Sequence, residues 1–119
     1  MHSISLVLTT LVALEFFFIM YLETIATTSE KTGQTFGMTT EQLRNKNVST
    51  LLKNQGVYNA LIAVLLLLGL FVFPNKLWVE LLLGYIILVA AYGAYSSDPM
   101  IFPKQAGLAV LALLSLIIL

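Results

Sequence analysis

Four apolar stretches, each about long enough to cross a bilayer, constrain this chain more than any other feature; they span roughly residues 4–27, 54–73, 77–97 and 99–119. A hydrocarbon core of about 30 Å takes ~20 residues of helix. Lipid offers no partner to an unpaired backbone amide, so each stretch is expected to be a helix rather than an open strand. The alternating pattern of a membrane barrel is absent. Of 119 residues, 59% are apolar and only 10% charged, against roughly a quarter charged in a soluble domain. The mean hydropathy is +0.93. The expected architecture is therefore all-α: one transmembrane domain over residues 1–119, an integral membrane bundle of four helices with a long first connection. The opening Met1-His2-Ser3 lacks a basic n-region, and the first run holds Glu15 and continues past Met20. A retained helix is expected there, not a cleaved signal peptide.

The connections differ in kind. The first, about residues 28–53, is long. Thr39 and Gln42 stand in it at capping-box spacing, ahead of Leu43, Val48, Leu51 and Leu52 on a helical period. This pattern predicts an interfacial amphipathic helix decorated by Arg44, Lys46 and Lys53. Phe73-Pro74-Asn75-Lys76 predicts a tight turn. In the third connection, Asp98 is expected to cap the last helix with Pro99 at its first position.

Basic residues give a direction. Lys31, Arg44, Lys46, Lys53 and Lys104 fall in the first and third connections, and Lys76 alone falls at the other end. The positive-inside rule places those two connections in the cytoplasm and both termini outside, in the inner (cytoplasmic) membrane. Trp78 is expected to anchor the outer interface.

Much chemistry is excluded. The six basic and six acidic residues balance, so no global field favours nucleic acid. Without cysteine there are no disulfides, thiolate zinc sites, iron–sulfur clusters or cysteine nucleophile, and one histidine cannot build a histidine-rich metal site. No cofactor is expected. Nucleophile elbows, phosphate loops and paired-histidine motifs are missing.

Polar residues inside the spans carry the remaining information. Glu15 lies near the middle of the first helix, where an ionised group costs on the order of 3 kcal/mol. Glu23 follows about 80° round and ~12 Å along. On the second helix Gln55, Tyr58 and Asn59 form a stripe with Asn54 beside them. Tyr92 on the third helix and Gln105 on the fourth fall at matching depth. These eight side chains are the candidate ligand- or proton-binding residues of a polar pocket in the cytoplasmic half. Small-residue stripes at Gly56, Ala60 and Ala63, and at Ala90, Gly93, Ala94 and Ser97, are expected to pack helices closely or to join copies of the chain as a homo-oligomer.

Asn54-Gln55-Gly56-Val57-Tyr58-Asn59 resembles the Asn-Gln-Gly-x-Tyr-Asn signature of a small bacterial four-helix membrane family, known only as a domain of unknown function. Glu15, Tyr21-Leu22-Glu23, Phe36-Gly37 and Ala91-Tyr92-Gly93-Ala94 are also similar to it. The resemblance covers essentially the whole chain and implies the topology and the polar core, but no activity. Glu15 also invites analogy with the first-helix carboxyl of small multidrug resistance transporters, whose connections are shorter throughout.

Three readings follow. The first is binding or proton-linked transport of a small or amphipathic molecule, with Glu15 as the proton-linked carboxyl. The second is an intramembrane enzyme acting on a lipid or isoprenoid by carboxyl acid–base chemistry. The third is an accessory subunit of a membrane complex. In each the bilayer is the one certain partner, and the first reading is preferred.

Overall fold

The computed structural model describes residues 1–119 and is built from helices alone. Its elements are α1 (Ser3–Ile25), α2 (Glu30–Phe36), α3 (Thr40–Arg44), α4 (Lys46–Val72), α5 (Lys76–Ser96) and α6 (Ile101–Ile118). Four of these, α1, α4, α5 and α6, are long and apolar enough to cross a membrane. The chain is a multi-pass membrane protein. Large apolar side chains such as Leu14, Phe18, Leu61, Leu81 and Leu88 stand exposed along these helices; such rows would be costly in water and match a hydrocarbon solvent.

Two compact units divide the chain. The first is Leu14–Ala63. Within it α2 starts at Ser29, whose Oγ accepts from the Thr32 N–H at 3.2 Å, and ends at Gly37 with a left-handed φ of 66°. A side chain with a Cβ would be strained there. The capping box of α3 forms as the spacing predicts: the Gln42 N–H donates to Thr39 Oγ1 at 3.1 Å, and the Thr39 N–H donates to Gln42 Oε1 at 2.9 Å. Leu43, fully buried, is the apolar anchor of this short helix.

The amphipathic segment expected across residues 39–53 is split. Asn45 leaves the helical region with a ψ of 128° and turns its Oδ1 to the backbone of Asn47 at 3.0 Å and Val48 at 3.4 Å. This Asx cap starts α4 at Lys46 instead of near residue 54. Leu52, Gly56, Asn59 and Ala63 then form its inward stripe, at alternating spacings of four and three.

The second unit comprises Met1–Ala13 and Val64–Leu119. Asn75 caps α5 by accepting from the Trp78 N–H at 3.1 Å. Val79, Leu83, Ile86 and Ala90 line the buried face of α5, and Ala106, Ala109 and Ala112 that of α6. Alanines let the two backbones approach closely, which is how membrane helices gain packing energy. Ser5 and Ser115 join α1 to α6 by a buried hydroxyl pair at 2.8 Å. The last span begins two residues later than expected. Asp98 Oδ1 accepts from the Met100 N–H at 3.0 Å and its carbonyl from Ile101 at 2.9 Å, so Pro99 and Met100 form a turn ahead of α6.

Candidate functional site

The candidate site lies within the unit Leu14–Ala63, on the last turns of α1 and the first half of α4. Here α1 does not finish as a regular α-helix. Tyr21–Ile25 form one wider turn, closed by the Ala26 N–H donating to the Tyr21 carbonyl at 2.8 Å. That i→i+5 bond takes from the Leu22 carbonyl the partner it would have in an α-helix. Thr32 of α2 compensates. Its buried hydroxyl lies 3.0 Å from the Leu22 oxygen and 2.7 Å from that of Ala26, and donates toward both. Thr27 Oγ1 donates to the Glu23 carbonyl at 2.7 Å. The wide turn is thus fixed by threonines, and Glu23 sits inside it.

Glu23 is completely buried. Asn59 on α4 donates its Nδ2–H to Glu23 Oε1 at 2.6 Å. Gln55, one turn earlier, also lies near this carboxyl, yet Glu23 Oε2 has no hydrogen-bond partner. The helices come this close because Gly56 has no side chain. A Cβ there would collide with Thr24 Oγ1 and stand 3.2 Å from the Glu23 Cβ. Thr24 Oγ1 instead donates to the Lys53 carbonyl at 3.1 Å.

Glu15, two turns back on α1, is half-buried, and its Oε1 is buried without a partner. The two span carboxyls therefore share one property: each presents an acceptor oxygen that nothing in the protein satisfies. Leaving such an atom unmet costs about 1–3 kcal/mol or more.

The remaining candidates differ in exposure and in the unit that carries them. Asn54 and Gln55 are exposed, as is Tyr58 at 72%. Tyr58 and Asn59 are neighbours in the chain and so about 100° apart round the helix. Gly56 turns the Asn59 side inward, and Tyr58 is carried outward. Tyr92, 71% exposed, and the half-buried Gln105 belong to the unit containing residues 64–119. The threonine supports at positions 24, 27 and 32 do not stand out in the sequence. Only the Ser29-x-x-Thr32 spacing hints at one of them.

Chemically the site offers a carboxyl, an amide and hydroxyls in an apolar setting. It can accept hydrogen bonds, hold a proton and orient a donor group. No three His, Cys, Asp or Glu side chains gather as a metal ion would require.

Comparison with known proteins adds a family and no activity. A family model described as protein of unknown function (DUF1304) matches residues 10–117. The uncharacterized protein YpaA of Lactococcus lactis subsp. lactis (strain IL1403) is 51% identical over 116 residues, covering 97% of this chain and 98% of that protein. No solved structure matches the chain.

Proposed function

The chain belongs to the DUF1304 family of proteins of unknown function, and we propose that it binds, and moves in exchange for protons, a small or amphipathic molecule held at Glu23 and Glu15. One observation carries this reading. Glu23 is fully buried and fixed by Asn59 at 2.6 Å on one oxygen, while its other oxygen is left open. A carboxyl that only tied two helices together would be expected to have both oxygens met. One that exchanges partners needs a free acceptor.

Glu15 supplies the second carboxyl on the same helix, about 12 Å away. Carboxyls at membrane depth mark ion and substrate pathways more often than packing. A proton or a donor group on the ligand satisfies the open oxygen in turn, and this alternation is what couples one to the other. Asn59 orients Glu23, and Gln55 stands at the rim. By the positive-inside rule, Lys31, Arg44, Lys46, Lys53 and Lys104 put the Glu23 end of α1 toward the cytoplasm.

Binding to the full chain in lipid nanodiscs, measured with a panel of single-chain amines, alcohols and carboxylic acids, tests the reading. At least one class should bind, and Glu23→Gln should weaken it about tenfold or more. No binding by any class, or equal binding to Glu23→Gln, would overturn it.

A further inference from the structure

When ionised, Glu23 carries a charge that no buried cation of the protein balances. Its side chain is completely buried, whereas all six basic side chains of the chain are exposed, Lys31 of α2 and Lys53 of α4 among them. Glu30, the nearest acidic neighbour on α2, is exposed as well. The groups that reach the carboxyl are the neutral amides of Asn59 and Gln55. The hydroxyls nearby are committed elsewhere. Thr24 donates to the Lys53 carbonyl, Thr27 to the Glu23 carbonyl, and Thr32 to those of Leu22 and Ala26. Oε2 therefore keeps an open acceptor position beside threonines whose protons are already placed.

Charge decides what can satisfy such an oxygen. A carboxylic acid would bring a second negative charge into a site of low dielectric, where like charges repel strongly. An alcohol gives Oε2 a hydrogen bond and leaves the negative charge uncompensated. A protonated amine supplies both, and such charge-assisted bonds are roughly twice as strong as neutral ones. The ammonium also has the same charge as the proton it would replace. Either one neutralises the buried carboxyl, so their exchange carries no net charge into an interior where an unpaired ion is costly. Glu23 ends a span whose exposed side chains include Phe18 and Ile25, so the body of the amine is hydrocarbon. Oε2 is itself covered, and the N–H reaches it where the exposed Gln55 amide now stands.

Resting on the reading of Glu23 as the binding group, we propose that the ligand is a protonated alkyl amine whose N–H donates to Glu23 Oε2. Hexylamine, hexyltrimethylammonium, hexanol and hexanoate share one chain length and separate charge from hydrogen-bond donor. Binding of each to the full chain in phosphatidylcholine nanodiscs, near neutral pH, is measured against protein-free discs. Hexylamine should bind at least about tenfold more tightly than the other three, and Glu23→Gln should bring it level with hexanol. The wild-type ranking needs no variant, so it decides the matter even if Glu23→Gln fails to fold. Hexyltrimethylammonium binding as tightly as hexylamine would overturn the N–H contact, and a hexylamine preference that persists in Glu23→Gln would overturn the assignment to this carboxyl. Hexanol or hexanoate matching hexylamine, with Glu23→Gln still weakening them, would overturn the amine and keep Glu23 as the binding group. No binding by any of the four would remove the binding reading itself.

Discussion

Asn59 Nδ2 donates to Glu23 Oε1 at 2.6 Å, and this one bond ties the wide last turn of α1 to the inward stripe of α4. Removing the amide takes from a buried carboxyl the donor that holds Oε1 at 2.6 Å. Asn59→Leu should therefore destabilise the chain, and the loss should shrink when Glu23 is also changed to Gln. A double-mutant cycle on unfolding in mixed micelles should give a coupling of about 1 kcal/mol, within the range known for membrane helices. A coupling near zero would mean that the bond contributes nothing to holding α1 on α4.

Gly56 and Gly84 provide a matched contrast. Ala at position 56 would drive its Cβ into Thr24, whereas a Cβ at position 84 meets nothing within 4 Å. Thermal unfolding should show Gly56→Ala destabilised by about 1–3 kcal/mol. Gly84→Ala should be neutral or slightly stabilised, since alanine is the better helix former.

Thr32→Val keeps the shape of the side chain and deletes the hydroxyl that serves the Leu22 and Ala26 carbonyls. We expect a loss of about 1–3 kcal/mol for the Leu22 carbonyl left unmet, since the Ala26 carbonyl still accepts from the Ser29 N–H at 3.0 Å, with faster amide exchange at Ala26. Unchanged exchange at Ala26 would show that the wide turn does not depend on Thr32.

These cases show what the sequence made legible. The four spans follow directly from runs of apolar residues, because a bilayer imposes a length and forbids alternatives to the helix. The Thr39–Gln42 cap was legible for a local reason, since both of its bonds lie within four residues. The early start of α4 was harder. Asn45 is one asparagine among several polar residues, and only its backbone turn makes it a cap. The wide turn at Tyr21–Ile25 leaves no periodic trace, because a single i→i+5 closure changes no residue type. The site was legible in part for the same reason. Glu23 and Asn59 stood out as polar residues in apolar spans. That Asn59 faces Glu23 while Tyr58 faces away depends on how closely Gly56 lets the helices approach.

The central claim is that ligand and proton alternate at the span carboxyls, and proton counting tests it most directly. Isothermal titration of the nanodisc-embedded chain with whichever amphiphile binds, run in two buffers of different ionisation enthalpy, gives the protons exchanged per ligand. We expect net exchange in the wild type, reduced or abolished in Glu15→Gln and in Glu23→Gln while both variants remain folded. Binding with no proton exchange, or exchange unchanged in both variants, would contradict the claim and leave the Glu23–Asn59 pair as a packing device.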